Sequence, residues 1–194
     1  MYNMSNRLNQ ITFFTGMVLL AFSGLNLFIG QFHLKGEPVV NFNVNQVRRL
    51  FNSQQRGWQE CWINFEIGVD LTNYLNWNSK FAFVYLNVQF KSQDGKYLSE
   101  NIIWDSHIQR QLQPTVFDGP LQKYYEKVNL PTNKLNIKNT RHEYALRDVY
   151  SSLLGQEVTF QVWVEVTPII GNIFREKIYE TPYTLPKQLI LRDP

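Results

Sequence analysis

Between Arg7 and Lys35 the chain carries no formally charged side chain, and the segment Ile11 to Phe32 (ITFFTGMVLLAFSGLNLFIGQF) holds thirteen large apolar residues. No other feature limits the possible folds as much. About 20 helical residues at 1.5 Å each cover the roughly 30 Å hydrocarbon core of a bilayer. Large apolar residues favour insertion by about 0.3–0.6 kcal/mol apiece, and the cost of the amide Asn26 offsets only part of the sum.

A buried core helix would show a polar face and a membrane-surface helix a charged one. Here Thr12, Gly16, Ser23, Gly24, Asn26 and Gly30 are small or neutral groups scattered through the run. Ala21-Phe22-Ser23 resembles a signal-peptide cleavage site, but Leu25, Leu27, Phe28 and Ile29 carry the apolar stretch beyond it. The expected organisation is therefore a short leading segment 1–10, an uncleaved transmembrane signal anchor 11–32, and one domain over 33–194. Arg7 lies before the span and Lys35, Arg48 and Arg49 follow it, so positive charge alone leaves the orientation open. A short leading end ahead of a large domain is the layout of a signal anchor with a cytosolic amino terminus.

The remainder is the size of one domain. The whole chain's 14 Phe, 10 Tyr and 5 Trp favour strands. Ile63, Phe65, Ile67, Val69 and Leu71 alternate with polar or small residues, as do Val158, Phe160, Val162, Val164 and Val166, with Trp163 the exception on the polar side. Both runs predict strands with one buried face. Lys80 to Phe90 is apolar on both sides and predicts a central strand. Asp94-Gly95 predicts a hairpin into Tyr97 to Asp105, Gly171-Asn172 divides Val158–Thr167 from Phe174–Tyr183, and Pro38 to Val44 predicts a first strand. Phe117 to Thr140, with Asp118-Gly119-Pro120 and Pro131, reads as a long loop or irregular insertion. The fold class is mainly β: a single N-terminal transmembrane helix followed by an antiparallel β-sandwich.

Chemistry is sparse. The one cysteine, Cys61, excludes an intrachain disulfide and a cysteine-rich zinc site. His33, His107 and His142 have no close ligand spacing, so no metal site is assigned. A net charge of +3 without a basic cluster gives no footprint for nucleic acid. Asp105, Ser106 and His107 are the residue types of a nucleophilic triad, yet neighbours on a strand point to opposite faces, and a hydrolase would need distant residues to complete them. Glu66 and Asp70 stand about 13 Å apart on one face of a strand, too far for paired glycosidase carboxylates. Trp58, Trp62, Trp77 and Trp104 could stack sugars or line a protein interface, although packing is their commoner use. No cofactor, catalytic residue or small-molecule substrate is expected. The residues leave open a membrane-tethered hydrolase and, if cleavage occurs near Ser23, a secreted binding sandwich.

Asn6-Arg7-Leu8-Asn9 before the span, FEIGVDL at Phe65 to Leu71, NWN at Asn76 to Asn78, FAFVYLNV at Phe81 to Val88, IIWD at Ile102 to Asp105 and VTFQVWVEVTPIIG at Val158 to Gly171 follow one another as in signal peptidase complex subunit 3. The chain resembles that family in order and spacing over nearly its whole length. The resemblance implies a type II protein of the endoplasmic reticulum membrane with a lumenal β-sandwich. It implies a non-catalytic role in signal-peptide removal, beside the catalytic and other subunits of the complex. No catalytic or interface residue carries over. Two departures stand out: Gly155 to Thr159 lacks the glycosylation sequon of many relatives, and Phe117 to Thr140 looks longer than the family's connection. The one formal sequon, Asn3-Met4-Ser5, precedes the anchor.

Overall fold

A computed structural model of the chain describes residues 3–32, 36–53, 57–91, 95–109, 133–141, 143–150 and 152–191. One helix, α1 (Met4–Phe32), precedes eight strands: β1 (Val39–Asn52), β2 (Gln59–Asp70), β3 (Ser79–Lys91), β4 (Leu98–Gln109), β5 (Lys134–Arg141), β6 (Leu146–Asp148), β7 (Glu157–Pro168) and β8 (Phe174–Thr184). His33, Asp94, the Asp118-Gly119-Pro120 break and His142 lie outside the described residues.

The apolar run is helical as expected, and α1 begins at Met4, seven residues ahead of Ile11. The 29-residue helix is about 43 Å long. Many of its large side chains are exposed: Phe13, Phe14, Leu20 and Phe22 are each at least 65% so. In water each would cost about 1.5–3 kcal/mol relative to burial. The Thr12 hydroxyl donates to the Leu8 carbonyl at 2.8 Å and so satisfies itself within the helix.

The strands form two antiparallel sheets. In the first, β2 lies between β1 on one side and β5 and β6 on the other; the second has the order β4-β3-β7-β8. The alternation in the sequence is realised residue by residue. Ile63, Phe65, Ile67, Val69 and Leu71 are at most 2% exposed and face Val158, Phe160, Val162 and Val164, which are fully buried. Phe42 meets Phe160 across the sheets with ring centroids 5.3 Å apart, and Phe65 meets Trp104 edge-on at 6.0 Å. Strand β3 is central, paired with β4 and β7, as its two-sided apolar character requires.

Two expectations need correction. The first strand does not stop at Val44 but runs to Asn52. Its inward residues are Val40, Phe42, Val44, Val47 and Leu50, because irregularities in the pairing with β2 at Val44/Gln46 and Val47/Arg49 each add one residue and break the period of two. The expected loop Phe117 to Thr140 contains strand β5 from Lys134 onward. Only Leu135 and Ile137 turn towards the core there, and a further irregularity, in the pairing with β2, accompanies Asn139 at φ 50°, so the run has too few apolar residues to register as a strand. An ion pair from Lys134 to Asp70, 2.8 Å long, closes the end of the β2/β5 ladder. That ammonium, helped by Thr72, holds the Asp70 carboxyl down at about 2.

Cys61 is fully buried among these side chains, and burial pushes its thiol from 9.0 up to about 12. Thiol reagents should leave the native chain unlabelled and modify Cys61 fully in denaturant. Between about pH 9 and 12 the unfolded thiol ionises while the folded one does not. This group's contribution is thus intact below pH 9 and should decline above it by about 1.4 kcal/mol per pH unit. Denaturation midpoints that fall no more steeply with pH in the native chain than in Cys61→Ala would contradict this.

Candidate functional site: the helix-proximal base

The residues suspected of nucleophilic chemistry are not brought together. Ser106 pairs with the core residue Val84, whereas His107 pairs with Phe83 and meets its ring at 4.8 Å, tilted by 50°, on the outer face of the sheet. Asp105 also lies outward, opposite Tyr85 and close enough to Tyr144 to raise that phenol's pKa. Among the described residues no group of three or more His, Cys, Asp or Glu could hold a metal ion. Glu66 and Asp70 occupy the outer side of β2, where Asp70 is occupied by Lys134.

The tryptophans divide. Trp104 is a core residue. Trp58 donates to Glu60 at 2.8 Å beneath the Arg147 guanidinium, and Trp62 pairs across the ladder with Arg49. Trp163, the exception in the β7 pattern, stacks parallel to Tyr85 with the Arg175 guanidinium 4.5 Å above its ring. Trp77 is 53% exposed.

Trp77 belongs to the end of the sandwich nearest the anchor, and this end is built by two of the sequence motifs. Asn76-Trp77-Asn78 forms the turn into β3. The Asn76 side chain accepts from the Asn78 backbone N–H at 2.9 Å and from the Ser79 hydroxyl at 3.1 Å, an Asx-type turn that closes the corner. Asn78, 5% exposed, reaches across to the turn after β7. Its Nδ2 donates to the Ile170 carbonyl at 2.7 Å and its Oδ1 accepts from the Ile170 N–H at 3.1 Å, so the amide acts as one more rung of the sheet. The β7–β8 turn passes through Gly171 at φ 121°, a conformation that only glycine adopts without strain.

The same turn meets the helix. A Cβ on Gly171 would lie 3.3 Å from Leu27 Cδ2. Just past the helix, Gly36 donates its N–H to the Asn73 carbonyl at 3.0 Å, and a Cβ there would lie 2.5 Å from that oxygen, so no larger residue fits. A cavity of about 320 Å³ opens between helix and base, lined by Leu27, Tyr74, Asn76, Asn78, Pro168 and Ile170 among others. Tyr74 donates to Glu176 at 2.8 Å, and burial followed by that carboxylate raises its pKa well above the usual phenol value. The pocket has neither a metal-ligand set nor a nucleophile beside a base. It is the joint between anchor and domain. Sequence reasoning picked out NWN and TPIIG separately, but contact between residues 92 positions apart has no local signature.

Replacing Asn78 by Ala should remove two part-buried hydrogen bonds to Ile170 and destabilise the domain by about 0.5–1.5 kcal/mol for each. Urea titration of the detergent-solubilised chain measures this; an unchanged midpoint would show that the clamp contributes nothing.

Residues 1–188 match the family described as signal peptidase subunit. Signal peptidase complex subunit 3 of Dictyostelium discoideum is 27% identical over 124 residues, 64% of this chain and 71% of that protein. The Caenorhabditis elegans protein of the same name is 26% identical over 143 residues, 72% and 78% of the two chains. That of Saccharomyces cerevisiae is 25% identical over 139 residues, 66% and 65%. With an apolar leading helix, a two-sheet antiparallel domain and a family match that runs through both, this chain belongs to the signal peptidase subunit family.

Proposed function

We propose that this chain is a non-catalytic, structural subunit of a signal peptidase complex, anchored by α1 in the endoplasmic reticulum membrane with its β-sandwich in the lumen. There it holds the catalytic subunit against the membrane face and so supports removal of signal peptides from entering proteins. The observation that carries the reading is the family match over residues 1–188, which includes the helix as well as the sandwich. Relatives named as complex subunits supply the partner class, the catalytic and other subunits of such a complex.

The physical support is of two kinds. The exposed apolar helix is stable only where hydrocarbon or other helices cover it, which suits a bilayer. Asp105 and His107 face away from Ser106 across the sheet, and Cys61, the strongest potential nucleophile, is buried with its thiol held neutral. A scaffold role needs neither.

Affinity purification of the tagged, full-length chain from detergent-solubilised membranes should recover a signal peptidase catalytic subunit, and depletion should leave preproteins unprocessed. Ser106→Ala and His107→Ala variants should support both as well as the native chain; loss of processing with an intact complex would favour the hydrolase alternative. In sealed microsomes the sandwich should resist external protease until detergent is added, and its digestion from outside would refute the lumenal orientation.

A further inference from the structure

From the geometry of the base we infer a second membrane contact: the β7–β8 turn, Ile169, Ile170 and Ile173 together with Trp77, inserts into the lipid interface beside the anchor. This rests on the reading of α1 as a membrane span.

Three observations carry it. The first is depth. Gly171 packs against Leu27, five residues or about 7.5 Å before the end of the apolar run at Phe32, and helical side chains lean towards the amino end, here deeper into the bilayer. Whatever touches Leu27 is level with the last turns of the span. The second is composition. Ile169, Ile170 and Ile173 are 63%, 45% and 60% exposed, three large β-branched side chains on one short turn, and Trp77, the residue type most suited to the membrane–water boundary, is exposed on the adjoining corner. The third is rigidity. Asn78 grips Ile170 through both its N–H and its carbonyl, and the Ile169 N–H donates to the Asn78 carbonyl, so the tip is held at that level with these backbone groups already paired. Paired backbone is what a turn needs before it can enter an apolar medium. The occupant is therefore lipid, and the contact continues the one made by the helix. A sandwich seated in this way has its tilt restricted by two points.

Site-directed spin labelling tests this on the full-length chain, because the buried Cys61 leaves an introduced cysteine as the reactive thiol. Nitroxides at Ile170→Cys and Ile173→Cys, with Leu20→Cys inside the span and Lys96→Cys at the far end of the sandwich, are compared in phosphatidylcholine vesicles. Collision with oxygen reports lipid and collision with a water-soluble nickel chelate reports solvent. The expected result is that positions 170 and 173 share the oxygen preference of position 20, while position 96 prefers the chelate. If 170 and 173 follow position 96, or are shielded from both reagents as in a protein contact, while position 20 stays in lipid, the inference is wrong and the anchor stands. If position 20 also follows position 96, the anchor reading itself has failed. Two labelled positions guard against one substitution disturbing the turn.

Discussion

Everything in the domain depends on the face-to-face packing of β2 against β7 and its neighbour β3. With one cysteine and no bridging metal ligands among the described residues, covalent links are not available to hold the sheets together. The burden falls on interdigitated apolar side chains, and these are arranged with little waste: Ile63, Phe65 and Ile67 on one side and Leu86, Phe160 and Val162 on the other are all fully buried. Such interiors have the density of organic crystals, so each strand's register is set by the need to keep its entire inward set facing in. The remaining strands are placed by pairing with these.

Asn64 Oδ1, in mid-strand, is buried without a hydrogen-bond partner, but the buried polar groups where the chain changes direction have assigned partners. At the end far from the helix, Gln59 accepts from the Leu153 N–H at 2.8 Å, and Asp148 accepts from the N–H of Tyr150 and from both the N–H and the hydroxyl of Ser152. At the near end Asn76 and Asn78 do the same work for the turns beside the helix. Side-chain amides and carboxylates here replace backbone partners that a sheet would otherwise supply. They convert loops into fixed points, which is what allows the base of the sandwich to present a defined surface to the anchor.

The joint at the base connects fold to function. Gly36 lets the chain beyond the helix approach the Asn73 carbonyl more closely than any side chain would permit, and Gly171 brings the β7–β8 turn against Leu27 of the helix. The domain is consequently held near the end of the span. In the proposed role as a membrane-held subunit, a seat of this kind would restrict the height and the tilt at which the sheets meet a neighbour. The outer face of the second sheet, where Tyr85, Trp163 and Arg175 stack, projects from the same rigid frame.

The sequence by itself determined the parts of this protein that rest on unbroken periodicity. The uncharged apolar run forms one helix of a length that suits a membrane span, and the strict alternation in β2 and β7 forms half-buried strands, because in both cases the pattern repeats the geometry of the element. The central place of β3 and the turn at Gly171 were legible for the same reason. What the tertiary structure alone decided lies where local pattern and local geometry part company. The second half of β1 changes its inward residues from a spacing of two to one of three because β2 imposes irregular pairing, and β5, with two inward apolar residues and Asn139 at positive φ, is a strand only because the edge of β2 supplies its hydrogen bonds. The base of the domain is the extreme case. Asn78, Ile170 and Leu27 are distant along the chain, and each is unremarkable in its own neighbourhood; only folding brings an amide, a turn and a helix into the contact that ties the sandwich to its anchor.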